Sequence, residues 1–114
     1  MLAKQNRLTK AEYNEVFKRA KVTNSSSFLV RRANVTGRIA FSVVIPKKVY
    51  PLSTDRNELR RSIYDSIGKR MPKYKVDCIF IAKPEIKAKK KEEIDSEVSK
   101  LLENVLVEVN SKIS

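Results

Sequence analysis

Arg56, Asn57, Arg60 and Arg61 fall within six residues and carry the clearest chemical signal in this chain of 114 residues. On a helix at 100° per residue, Asn57, Arg60, Arg61 and Tyr64 share a sector of about 100° beside an apolar face of Leu59, Ile63 and Ile67. Guanidinium forks match phosphate oxygens two at a time, and a helix start adds its own partial positive charge. Such a stripe suits the backbone of a nucleic acid. Arginines on an exposed face can also do no more than solvate it, so spacing alone leaves both readings open. Lys47 and Lys48 stand just upstream, in a loop bounded by Pro46 and Pro51. A lysine pair in a loop is ordinary surface by itself. Here its place before the arginine helix lets it extend the same phosphate-binding surface.

Two aromatic residues, Tyr13 and Phe17, lie four apart on a predicted helix. At that spacing they serve as core anchors, or as part of a groove on which unpaired bases stack. Phe28 and the small face of Ala40, Ser42 and Val44 are candidates for the groove floor. No catalytic constellation accompanies these features. The chain has no histidine and a single cysteine, Cys78, set among Ile and Phe in an apolar run. That removes the usual general base, the commonest metal ligand and any cysteine-rich zinc site. Glu92, Glu93, Asp95 and Glu97 suit the positive end of a helix. Two glycines, Gly37 and Gly68, build no phosphate-cradling loop.

Lys and Arg number 25 against 13 Asp and Glu, a net charge of +12. Such an excess repels itself unless an anionic partner absorbs it. The excess is local: residues 1–75 hold 18 basic and 5 acidic residues, residues 76–114 hold 7 and 8. One basic face on a folded body fits this better than a basic tail. Hydrophobic residues make up 41% of the chain, enough for one core. No apolar run approaches a membrane span, and the first residues lack a signal peptide's apolar stretch. The expectation is a cytoplasmic, membrane-free protein, a single domain over residues 1–114, whose partner is a polyanion.

The elements that must position these residues follow from period and punctuation. Thr9 with Glu12 predicts a capping box and a helix with Tyr13, Val16, Phe17 and Ala20 on one face. Phe28 to Arg32 predicts a strand and Asn34 to Gly37 a turn. Ile39, Phe41, Val43 and Ile45 alternate with small residues as a second strand. Lys21–Asn24 is a possible short strand. Asp55 with Glu58 predicts the cap of the arginine helix, and Pro72 its stop. Val76 to Ala82 reads as a central strand. Lys87–Lys91 reads as a loop or helix entry. Ile94, Val98, Leu101, Val105 and Val109 predict a last helix. The order helix–strands–helix–strand–helix predicts an α+β fold, an α/β sandwich with one sheet of about four strands and three helices.

Two segments resemble the protein component of bacterial ribonuclease P. Arg7-Leu8, Tyr13 and Val16-Phe17 are similar to the family's opening pattern. Lys47-Lys48-Val49 followed by Arg56-Asn57-Glu58-Leu59-Arg60-Arg61 is similar to its paired lysine and arginine-rich helix. The resemblance covers about residues 4–110. Departures are Glu58 at a basic position of the pattern, Ser62 and Tyr64 where basic residues are common, and Pro46 at a small polar one. The loop to Arg56 is also one residue longer. The resemblance implies a non-catalytic subunit of an endoribonuclease, whose partners are ribonuclease P RNA and precursor tRNA. The RNA performs the hydrolysis with Mg²⁺, and the protein binds no cofactor by itself. Lys47, Lys48, Arg56, Asn57, Arg60 and Arg61 would bind the catalytic RNA. Arg7, Tyr13, Phe17 and Phe28 would line a groove for the single-stranded 5′ leader of precursor tRNA. A left-handed crossover through the arginine helix is implied as well. The alternative, a small ribosomal or ribosome-assembly RNA-binding protein, explains the charge and fold but not the opening pattern.

Overall fold

Thr9 starts the first helix through a complete capping box. Its hydroxyl accepts the Glu12 amide at 3.3 Å, and the Glu12 carboxylate accepts the Thr9 amide at 2.8 Å. The computed structural model describes residues 4–71 and 75–113, with side chains described as far as Glu103. Helix α1 spans Lys10–Arg19. It is followed by β1 (Lys21–Asn24), β2 (Phe28–Ala33), β3 (Ala40–Val44), α2 (Ser53–Lys69), β4 (Asp77–Ala82) and α3 (Lys91–Ile113). Short 3₁₀ turns lie at Lys4–Asn6 and Pro84–Ala88. Pro72, and the side chains of Val105 and Val109, lie outside the described residues.

The four strands form one sheet in the order β1-β2-β4-β3. β1 and β4 each pair with β2 antiparallel, and β3 pairs with β4 parallel. A parallel pair needs a crossover, and α2 supplies it. The segment before α1 extends the sheet past β3. Arg7 bridges Phe41 in parallel, the Leu8 amide donates to the Phe41 carbonyl at 3.0 Å, and the Asn6 side-chain amide donates to the Ile39 carbonyl at 2.9 Å. The three helices and mixed sheet are the α+β class the element order predicts.

Register decides which side chains share a face. Arg31 of β2 pairs with Ile79 of β4, which pairs with Ser42 of β3. Leu29, Ile81 and Val44 form the next row of that face. The opposite face carries Phe28 and Val30, Cys78, Phe80 and Ala82, and Phe41 and Val43, all buried. These join Ile63 and Ile67 of α2 and Ile94, Val98, Leu101 and Leu102 of α3 in the main core. Phe28 meets Phe80 edge-on at 5.6 Å between centroids. Burial among these groups pushes the Cys78 thiol up to about 12, so it is an inert core residue. Helix α1 packs on the first face, where Val16, Ala40 and Ile79 are buried apart from the main core. The sheet is therefore covered fully on one side and in part on the other.

Three carboxylates fasten the loops. Asp77 is fully buried and accepts the Val35 amide at 2.8 Å, the Thr36 amide at 2.9 Å and the Thr36 hydroxyl at 2.6 Å, holding the β2–β3 turn. That turn passes through Gly37 at φ +73°, a left-handed backbone that favours glycine. Asp95 accepts Arg70 through both oxygens, at 3.0 and 2.8 Å, and the Ser66 hydroxyl at 2.6 Å, joining α3 to α2. Glu97 accepts the Ser25 hydroxyl at 2.6 Å and the Ser27 amide at 2.7 Å. Asp95 and Glu97 thus act as tertiary ties beyond the macrodipole role read for them.

The cap expected from Asp55 and Glu58 is not formed. Helix α2 begins at Ser53, and its N-cap, Leu52, makes no side-chain hydrogen bond. The Arg56 guanidinium donates to the carbonyls of Tyr50 at 2.9 Å and Pro51 at 2.7 Å. Pro51 and this tie turn the chain into the helix three residues earlier than the acids imply. Asp55 remains in the first turn, where its charge favours the dipole. Glu58 lies exposed beyond it.

Candidate nucleic-acid interface

The arginine stripe of α2 forms one wall of a shallow cleft, and the other wall comes from the N-terminal segment. Arg7, Asn57, Arg60, Arg61 and Tyr64 line it, around about 160 Å³ of space. That is too small for a coenzyme-sized ligand and fits a group on the scale of a phosphate. Tyr64 is fixed at the floor because its hydroxyl oxygen accepts the Val43 amide of β3 at 3.2 Å. The Arg7 guanidinium stands over the Tyr64 ring, 5.5 Å from its centroid. Arg60 donates to the Asn57 side-chain oxygen at 2.8 Å. Arg7, which the resemblance assigns to the leader groove, is placed by the fold beside the arginine helix. The bridge of Arg7 to Phe41 turns its side chain toward α2.

A clamp holds the wall that carries Arg7. The Arg38 guanidinium pairs with both oxygens of Glu12, one through Nη1 and the other through Nη2 at 2.7 Å. It also donates to the carbonyls of Gln5 at 2.9 Å and Arg7 at 3.1 Å. Hydrogen bonds from Arg38 and the Thr9 amide lower the Glu12 carboxyl to about 2, and Arg38 is raised in turn. One side chain thus ties the β2–β3 turn to the start of α1 and to the backbone of Arg7.

Asn57, Arg60 and Arg61 meet in the cleft as their helical spacing predicts. Arg56 does not. Its guanidinium points back to the Pro46–Pro51 loop and holds two carbonyls there. Lys47 and Lys48 are exposed on that loop and are not among the cleft-lining residues.

The second surface lies on the α1 side of the sheet. Tyr13 and Phe17 stack at 6.0 Å between centroids with 26° between planes. Phe17 is 40% exposed, so it is not a core ring. Tyr13 is half-buried. Arg31 lays its guanidinium over Phe17 at 3.8 Å, and its Nε is buried without a hydrogen-bond partner among the described residues. Beyond Arg31 the face continues through half-buried Leu29, Ile81, Ser42 and Val44. Ser42 and Val44 sit where the small-residue floor was expected, whereas Ala40, at the start of β3, is fully buried. Phe28, also expected in this groove, is fully buried on the opposite face. Strand alternation is the reason: Phe28 and Val30 point to α2 and α3, Leu29 and Arg31 to α1. Arg31 is a groove residue that the sequence pattern did not single out. Its signal is a basic side chain at alternate strand spacing on the small-residue face.

A ribonuclease P family model matches residues 2–106. No curated protein matches in sequence. Among solved structures, a Staphylococcus aureus ribonuclease P protein, in a mutant with defective mRNA degradation activity, superposes with a TM-score of 0.80 at 20% identity. The match covers 90% of this chain and 89% of that one. Another structure of the Staphylococcus aureus protein gives 0.77 at 18% identity, covering 88% and 94%. The Thermotoga maritima ribonuclease P protein gives 0.76 at 18% identity, covering 86% and 96%. At these identities the structural likeness establishes the fold, and the family model establishes the kinship.

Proposed function

The chain belongs to the ribonuclease P protein family, and from that premise we propose that its two surfaces divide one RNA-processing task. As a protein subunit of ribonuclease P it has the ribonuclease P RNA as partner. The cleft of Arg7, Asn57, Arg60, Arg61 and Tyr64 binds phosphates of that structured RNA. The groove of Tyr13, Phe17 and Arg31 takes the unpaired 5′ leader of precursor tRNA. Phe17 offers a ring face to a base, and the Arg31 guanidinium beside it offers positive charge to a phosphate. Cleavage belongs to the RNA, with the Mg²⁺ that phosphodiester hydrolysis there requires. Among the described residues no three His, Cys, Asp or Glu side chains come together as a metal-holding group. The protein raises affinity and orientation, and does so in the cytoplasm.

The observation that carries this reading is the cleft, where three arginines and an amide converge on a space of phosphate scale. The test adds the pure protein to precursor tRNA with and without the catalytic RNA. Leader removal in the joint tube at low Mg²⁺, and none with protein alone, is the expected result. Cleavage by protein alone would place the chemistry in the chain. No effect in either tube would leave a ribosomal or assembly role.

A further inference from the structure

Arg38 follows Gly37 at the end of the β2–β3 turn and, by residue type alone, is one more cation for a polyanion. Its guanidinium is already committed inside the protein. It donates to both Glu12 oxygens and to the carbonyls of Gln5 and Arg7, four hydrogen bonds in all. The Glu12 carboxylate also neutralises its charge. Little of the fork is left to meet a phosphate. The root of the side chain is fixed from the core. Buried Asp77 accepts the Thr36 hydroxyl at 2.6 Å, and the Thr36 oxygen accepts the Arg38 amide at 3.2 Å. At its far end the guanidinium orients a whole peptide. The Arg7 carbonyl and the Leu8 amide belong to one planar unit and point to opposite sides. Arg38 holds that carbonyl at 3.1 Å, and the Phe41 carbonyl of β3 holds that amide at 3.0 Å. Gripped at both ends, the peptide fixes the direction in which the Arg7 side chain leaves the backbone. The Arg7 guanidinium then reaches the cleft and stands over Tyr64.

We propose that Arg38 and Glu12 are positioning residues for ribonuclease P RNA: clamped by Glu12, Arg38 holds the Arg7–Leu8 peptide so that the Arg7 guanidinium meets an RNA phosphate in the α2 cleft. Arg38 touches no RNA itself. Glu12, an acid in a protein that binds a polyanion, favours binding because it keeps the fork closed. A preset arginine loses less freedom when the phosphate arrives, which is where the affinity comes from. The proposal rests on the reading that the cleft binds ribonuclease P RNA.

The experiment measures log K against log salt for the protein with ribonuclease P RNA, with melting temperature followed to confirm folding. Arg7→Gln should lower the slope by about 0.7–0.9, one phosphate contact. Arg38→Gln should lower it by as much, and should change nothing further in the Arg7→Gln protein. Arg38→Lys keeps the charge but cannot span Glu12 and two carbonyls, so it should behave as Arg38→Gln does. Glu12→Gln sets an NH₂ against a guanidinium N–H and opens the fork, so it should weaken binding although the net charge rises. Glu15→Gln, the same charge change at an exposed position of α1, should not weaken it. A wild-type slope for Arg38→Lys, or a further loss when Arg38→Gln is added to Arg7→Gln, makes Arg38 a direct contact and overturns the proposal. An unchanged slope for Arg7→Gln, or tighter binding by Glu12→Gln, overturns it as well. If R60A/R61A lowers the slope in those cases, only the positioning role fails. If it does not, the cleft reading fails too.

Discussion

Replacing Phe17 with alanine separates a groove ring from a core ring. A fully buried phenylalanine costs about 3–5 kcal/mol of stability when truncated to alanine. Phe17 is 40% exposed, so the loss should be nearer 2–3 kcal/mol, including the stacked Arg31 guanidinium. For a domain of this size that is a fall in melting temperature of about 10 °C, which leaves the protein folded at assay temperature. If an unpaired leader base stacks on the exposed face, Phe17→Ala should also weaken precursor tRNA binding by about 1–3 kcal/mol. That is about 5- to 150-fold in affinity. Mature tRNA, which has no leader, should bind the assembled enzyme as before, and so should the catalytic RNA bind the protein. The assay is a pair: thermal melting of the free protein, and the ratio of precursor to mature tRNA affinity of the enzyme. A lower melting temperature with an unchanged ratio refutes the groove assignment and makes Phe17 a packing residue.

Three further outcomes follow from the same geometry. Arg60→Ala with Arg61→Ala should weaken binding to the catalytic RNA and reduce the salt slope by about 0.7–0.9 per lost phosphate contact, measured by titration at several salt concentrations. Glu58→Arg removes no cap, so unfolding free energy should change by less than about 0.5 kcal/mol while affinity for the RNA rises. Glu12→Gln should cost about 1 kcal/mol at neutral pH, because the Arg38 pair is partly exposed and screened. The Glu12 carboxyl is lowered, so its contribution is complete above its ordinary value of 4.5 and is lost as pH falls toward about 2. The stability gap between wild type and Glu12→Gln should close across that window, and a gap that persists at pH 2 would contradict the Arg38–Glu12 account.

Residues brought together by local periodicity are legible in the amino-acid order itself. The capping box of Thr9 and Glu12, the stripe of Asn57, Arg60, Arg61 and Tyr64, and the alternation of β3 each depend on spacing along one element. Helical and strand geometry fix such relations whatever the rest of the chain does. Net charge and its concentration before residue 75 point to a polyanion for the same reason, since they need no fold.

Relations between elements are settled by tertiary structure alone. Strand alternation says that Phe28 and Arg31 point to opposite sides, but not which side α1 will cover. The β2–β4 register and the packing of α2 and α3 make Phe28 core and leave Arg31 in the groove. Arg7 joins the arginine cleft because its segment pairs with β3, a contact 34 residues away that no local pattern encodes. Arg56 stands apart from the cleft because two loop carbonyls lie within reach of its Nη1. Asp77, the lone acid of an apolar run, finds its role only when the fold brings three donors of the β2–β3 turn to it. Long polar side chains spend their hydrogen bonds on whatever the fold brings near, and that neighbourhood is set by register and layer order, which the sequence specifies only collectively.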